Sequence, residues 1–290
     1  GLAGLSHGYT YIEKCNNSGE IQATGYGKAA GMIAELYAWK EQTEIKDCEN
    51  SGHILSARST GPAAGMCASI ITDVRATNCK NTGKIETHAS GGSGGMFGEG
   101  RGKFIINSCI NEGEIQSTGS SSNDCNSNCG GIIGKLFTCY AADYNWSSSD
   151  NPSYSTEDTE LVIKNCKNSA NISSNTHFGG IAGFIVSNTV DISNCSVENC
   201  KLDDIYSADK GGIVGLVRSN NLIIADCEVK KVNLDRSSSK GEDTYGATGG
   251  ILGQYSNTMD VEDKKINSKN LKIINCKVED SKVKTRGQST

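Results

Sequence analysis

The sequence predicts an all-β protein, a parallel β-helix (β-solenoid) of about eight coils of roughly 30 residues each. Three observations predict it: a glycine box that returns eight times, a cysteine-centred motif that alternates with it eight times, and a composition suited to a thin repeated core. The chain has 290 residues, with 35 Gly and only 2 Pro, and aromatics are 6%, too few for a core built on large rings. Its apolar residues are mostly Ile, Val, Leu and small side chains, which fill a β-lined interior.

The box reads approximately Gly-Gly-Ile-x-Gly. It appears as Gly94-Gly95-Met96-Phe97-Gly98, Gly130-Gly131-Ile132-Ile133-Gly134 and Gly179-Gly180-Ile181-Ala182-Gly183. It returns as Gly211-Gly212-Ile213-Val214-Gly215 and Gly249-Gly250-Ile251-Leu252-Gly253. Looser copies start at Gly1, Ala30 and Ala64. The second motif, approximately Ile-x-Asn-Cys-x-Asn-x-Gly-x-Ile, carries Cys15, Cys48, Cys79, Cys109, Cys166, Cys195, Cys227 and Cys276. Subtracting Gly1, Gly31, Gly65, Gly95, Gly131, Gly180, Gly212 and Gly250 from the next of these cysteines gives 14, 17, 14, 14, 35, 15, 15 and 26. Six gaps agree within three residues; the other two are insertions into a fixed frame.

Each unit holds three short strand-like runs, such as Gly212 to Val217, Leu222 to Cys227 and Val229 to Leu234, and none has helical periodicity. One coil cannot bury its apolar side alone, so coils about 4.8 Å apart must cover one another and place like residues in ladders along a rod of roughly 40 Å. The eight cysteines are expected to form a buried ladder of free thiols. Two residues later stand Asn17, Asn50, Asn81, Asn111 and Asn168, expected to bond amide to amide, and then Val197, Val229 and Val278. The chain is thus expected to be a single solenoid domain over 1–290, with Asn-ladder coils in 1–175 and Val-type coils in 176–290. The Val-type units carry one added residue, so the cross-section should change near residue 190. The chain starts inside a repeat, which suggests a piece of a longer protein.

The boxes resemble the GLUG-motif repeat family, and the resemblance runs through all eight. Such repeats occur in bacterial surface and secreted adhesin-like proteins and in non-catalytic regions of immunoglobulin A1 metalloproteases. The resemblance implies a cell-surface or secreted location.

Several chemistries lack their residues. The net charge is −5 and there is no basic stripe, which argues against nucleic acid. No apolar run is long enough for membrane insertion as a helix. His7, His53, His88 and His177 sit singly, none followed by Glu, so no His-Glu-x-x-His zinc site exists, and each is expected at the surface. The Gly91–Gly102 stretch lacks the Lys-Ser/Thr of a phosphate loop. Asp203, Asp204 and Asp209 are the nearest acidic group, expected in a solvated turn, and Asp150, Glu157, Asp158 and Glu160 lack regular calcium spacing. Cys67 and Cys200 match apolar positions of neighbouring units and are read as core. Cys125, Cys129 and Cys139 lie outside the ladder; a local disulfide, free thiols and a metal site all stay open, the disulfide first.

No catalytic residues, cofactor or metal are therefore expected. The candidate ligand-binding residues are Tyr140, Tyr144, Trp146 and Tyr154, a concentration of rings in the larger insertion. Exposed rings stack on sugars or anchor proteins; folded back, they would instead cover the rod. The smaller insertion, 254–269, and the Tyr37–Trp39 segment occupy the same gap of the repeat, so all three should leave one edge. The expected function is a non-catalytic structural or adhesive module presenting edge loops to a host protein or glycan. The alternatives are a subunit that self-associates end to end through uncapped coils and a carbohydrate-active β-helix enzyme, which would require its acids and the insertion to meet in one groove.

Overall fold

A computed structural model describes residues 1–25, 27–57, 61–88, 91–118, 127–137, 140–141, 154–155, 160–204, 209–235, 246–256 and 269–284. Among them every element is a β-strand. The strands form four parallel sheets that run the length of a solenoid, with one small antiparallel pair beside them. Coil six shows the path. Phe178–Gly179 lies on a box face, Ala182–Ser193 on a long face, Ser196–Glu198 on a cysteine face and Lys201–Asp204 on an isoleucine face. The cysteine and isoleucine faces each carry eight strands, the box face seven.

The unit thus has four strand segments rather than three. The first two expected runs join in coil seven into one strand, Val214–Ala225. The polar residues between them keep pairing, Ser219 with Ser187 and Asn221 with Thr189, and Asn220 Nδ2 donates to Asn188 Oδ1 (2.7 Å). In coil four the run does break, into Phe97–Arg101 and Phe104–Asn107.

A left-handed residue ends the long face in every coil. Lys14, Asp47, Asn78, Ser108, Asn165, Asn194, Asp226 and Asn275, each just before a ladder cysteine, have φ between 50° and 54°. Asn and Asp predominate there because they tolerate this conformation best among residues with a side chain. The Val-type coils add a second left-handed residue, Asn199, Lys231 and Asp280. That residue absorbs the one-residue excess, so Leu202 still pairs with Ile172. The cross-section changes at this corner while the ladder continues.

Both ladders form as expected. Cys48, Cys79, Cys109, Cys166, Cys195 and Cys227 are buried and free, and Cys15 and Cys276 at the two ends are partly exposed. All eight thiols donate to the carbonyl two residues earlier, at 3.2–3.5 Å. Asn17 Nδ2 donates to Asn50 Oδ1, Asn50 to Asn81, Asn81 to Asn111 and Asn111 to Asn168, all at 2.7–2.8 Å. Each of these amides also donates to the carbonyl two residues on, as Asn81 does to Gly83 O (2.9 Å). This uses both amide hydrogens of these four residues; Asn168, next to Val197 in the following coil, donates to Ala170 O (3.1 Å). Ile54, Ile85, Ile115, Ile172, Leu202 and Leu234 stack beside it, fully buried. Each such side chain contributes about 1.5–3 kcal/mol of hydrophobic stabilisation.

Cys67 and Cys200 are core, as expected. Cys129 is core too, and a free thiol rather than half of a disulfide. It lies on the box face, paired with Ser93 and Phe178, and burial pushes its pKa up to about 11. Cys125 and Cys139 lie outside the described residues.

Candidate functional site

The outer surface of the long face carries the most varied chemistry. Leu36, Ile70, Leu136, Ile185 and Val217 point into the core. Their neighbours on either side therefore point out, because side chains alternate along a strand. Pairing places these outer residues in two rows. The first runs Leu5, Glu35, Ser69, Glu99, Lys135, Phe184 and Leu216; the second runs His7, Tyr37, Ile71, Arg101, Phe137, Val186 and Arg218.

The rows differ along the rod. Toward the C-terminal end they are apolar and covered, with Phe184, Val186 and Leu216 at most 2% exposed. Phe137 meets Phe184 edge-on (5.6 Å), and the Arg218 guanidinium lies over the Phe184 ring (5.4 Å). Toward the N-terminal end the rows are charged and open. In coil three the first row carries only Ser69, between Glu35 and Glu99, and this gap leaves a cavity of about 110 Å³. Its lining includes Lys28, Tyr37, Pro62, Ile71, Glu99 and Arg101.

The charges around the cavity are recessed. Lys28 Nζ donates to Glu35 Oε1 (2.5 Å) and lies over the Tyr37 ring, which stacks on His7. Burial pushes the Glu35 carboxyl up, but hydrogen bonds from Lys28 and Tyr37 outweigh it and hold the pKa below its ordinary value. The Lys135 side chain is 10% exposed, with Nζ 3.8 Å from Glu99 Oε1 and 5.0 Å from the Phe137 ring centre. At 3.8 Å the pair is an ion contact and not a hydrogen bond.

The insertions meet this face at its bend. The larger one enters between Ile133–Phe137 and Glu160–Lys164, the smaller between Leu252–Tyr255 and Asn270–Ile274. In coil two the strand Ile33–Lys46 runs through the bend with extra residues, since Tyr37 pairs with Ile71 and Gln42 already with Asp73. All three therefore leave one edge, as the spacing implies. Of the ring residues singled out, Tyr140 and Tyr154 lie on the two strands of the antiparallel pair, Tyr140 opposite Ser155 and Ala141 opposite Tyr154. Tyr144 and Trp146 lie outside the described residues.

Other expectations change. Asp203 and Asp204 are in a strand, not a turn, and pair with Ser173 and Ser174. Asp203 accepts from Lys201 Nζ (2.6 Å). Asp209 is buried elsewhere, beside the box face, where its N–H donates to His177 Nδ1 (3.2 Å) and its carboxylate accepts from the Ala247 N–H (2.7 Å). His177 is thus buried between coils rather than at the surface. Glu160 pairs with Lys103 (2.6 Å), while Asp150, Glu157 and Asp158 lie outside the described residues. His53 and His88 do not sit singly. Stacking brings His53 to Glu86 (3.3 Å) across 33 residues of chain, and His88, two residues after Glu86, meets the same carboxylate (3.0 Å). Among the described residues no group of three or more His, Cys, Asp or Glu could hold a metal ion, and no helix is long and apolar enough to cross a membrane.

The Glu86 cluster makes a pH prediction. The Lys84 hydrogen bond (2.8 Å), against the opposing effect of burial and aided by His88, lowers the Glu86 pKa to about 2 from an ordinary 4.5. A carboxylate depressed by folding adds stability above its unfolded pKa and loses it as pH falls through its folded one. Unfolding midpoints should therefore drop between pH 4.5 and 2, and the drop should be shallower in Glu86→Gln. The site is partly solvated, so the difference is small; urea titrations at stepped pH would measure it.

No family model, curated protein or solved structure matches this chain.

Proposed function

We propose that this chain is a non-catalytic structural and adhesive repeat module of a cell-surface or secreted protein, and that its long face and bend loops engage a host protein or glycan. One observation carries the reading. The regular ladders build a stiff frame, and both insertions, the extra residues of coil two and the cavity lie along one face and its bend. A stiff frame with variable features along one face is how repeat proteins build recognition surfaces. The likeness of the boxes to GLUG repeats supports the surface or secreted location.

The test is binding of the purified chain to an array of glycans and host matrix proteins, beside a Tyr144→Ala, Trp146→Ala double variant. Binding that the variant loses supports adhesion through the larger insertion. No binding to any array member contradicts an adhesive role.

A second reading, end-to-end self-association, has its own observation. Ladder positions buried inside the rod are bare at its ends: Val278 is 44% and Ile273 47% exposed, whereas Val229 and Ile224 are fully buried. At the other end Leu2, which holds the box position of the fully buried Met32, is 55% exposed. Sedimentation velocity over a concentration series distinguishes the readings, because stacking raises the apparent mass with concentration and a pure binding module stays monomeric.

A further inference from the structure

We propose that the cavity over Ser69 binds the hydroxyl-rich ring of a neutral sugar within a glycan. This inference rests on the adhesive reading and gives that reading a site and a ligand class. Three features of the cavity support it.

The first is charge balance. Lys28 and Arg101 line the cavity together with Glu99, and Lys28 is already matched to Glu35. Lys28 and Arg101 face Glu35 and Glu99 in equal number, and the nearly buried Lys135 beside Glu99 adds one positive charge, so neither a strong anion site nor a cation site results. The second is hydrogen-bonding capacity. Glu99 makes only a 3.8 Å contact with a lysine that is itself nine-tenths buried, so its carboxylate oxygens retain room to accept. Arg101, two residues along the same strand, carries a planar donor fork. Neighbouring sugar hydroxyls each donate and accept, so one can give its O–H to Glu99 while the next takes an N–H from Arg101. The third is the apolar side of the cavity, where Tyr37, Pro62 and Ile71 provide surface for the C–H face of a sugar ring.

An extended peptide fits less well. Around Ser69 the long-face backbone pairs with the coils on both sides, Ser69 with Glu35 and with Glu99. No strand edge is open there for a peptide to add to.

The experiment titrates the purified 290-residue chain with panels of neutral and acidic oligosaccharides, read by calorimetry, for the wild type, Ser69→Phe, Glu99→Gln and the Tyr144→Ala, Trp146→Ala variant. Ser69→Phe fills the cavity, and Glu99→Gln removes the charged acceptor at nearly constant shape. Neutral oligosaccharides should bind the wild type, and both cavity variants should weaken binding by about tenfold or more. Should Ser69→Phe fail to fold, Glu99→Gln decides alone, since it changes only an outward-facing side chain. Preference for acidic glycans, or neutral-glycan binding untouched by Glu99→Gln, overturns the inference. Binding lost only in the Tyr144→Ala, Trp146→Ala variant moves the site to the insertion and leaves the adhesive reading intact. No binding to any glycan overturns the cavity site, and the matrix-protein arm of the array then decides the adhesive reading separately.

Discussion

Asn81→Ala is expected to destabilise the protein by about 3 kcal/mol or more, seen as a lower urea midpoint. The side chain accepts from Asn50 Nδ2 (2.7 Å) and donates to Asn111 Oδ1 (2.8 Å) and Gly83 O (2.9 Å). Asn50, Asn81 and Asn111 are all fully buried, so water cannot replace the lost partner. Truncation strands a donor on one side and two acceptors on the other, and each stranded group costs about 1–3 kcal/mol. The end of the column provides an internal comparison. Asn17 also donates to Asn50 and to Gly19 O, but it is partly exposed and has no amide on its outer side. Asn17→Ala should cost less than half as much. Equal losses at the two sites would contradict a buried amide ladder.

Gly95→Ala is expected to have an effect at least as large. A Cβ at Gly95 would lie 2.2 Å from Gly131 O in the next coil and 2.5 Å from the Asn111 side chain. The first of these atoms is backbone and the second belongs to the amide ladder, so the methyl group fits only if two coils move apart. Overpacking of this kind costs about 1–3 kcal/mol, and loss of the ladder bonds adds to it. The expected outcome is a fall of more than about 3 kcal/mol, or failure to fold. Gly4→Ala is the control: a Cβ there meets nothing within 4 Å, and the change should be nearly neutral in the same urea assay. The contrast explains the box. Its glycines are required where one coil's backbone rides on the next coil's carbonyl.

The ladders were legible because in-register stacking gives every coil the same environment at the same step, so cysteine after cysteine answers the same demand. The Val-type corner was legible as one added residue, but its cause was not, because Lys231 stands where Asn199 and Asp280 do and hides the left-handed position that the Asn and Asp alone would have marked. Cys129 was left open for a related reason. Its column reads Ala29, Ala63, Ser93, Cys129, Phe178, Lys210 and Thr248, and shares a position without sharing a chemistry. The meeting of His53 and His88 at Glu86 needed the coil-to-coil register, which places Glu86 beside Leu55, the residue two after His53.

The cavity is a harder case. Glu35, Ser69, Glu99, Lys135 and Phe184 all stand four residues after the second box glycine, so aligning the boxes would have exposed the column. What the column does depends on one small residue between two large ones, and that becomes visible only once strands are seen side by side. The rings chosen from sequence, Tyr140, Tyr144, Trp146 and Tyr154, belong to the insertion that leaves the bend beside this face. Phe137, the last residue of the strand before that insertion, is the ladder neighbour of Arg101.

In-register coils bury a continuous column of free thiols and amides. Residue-resolved mass spectrometry after brief alkylation of the native protein tests it most directly. The partly exposed end thiols, Cys15 and Cys276, should be modified rapidly, and Cys48, Cys79, Cys109, Cys166, Cys195 and Cys227 should be protected until denaturant is added. Cys67, Cys129 and Cys200, also buried, should be protected with them. Uniform labelling of the eight ladder cysteines in the native state, or disulfides linking them to one another, would contradict it.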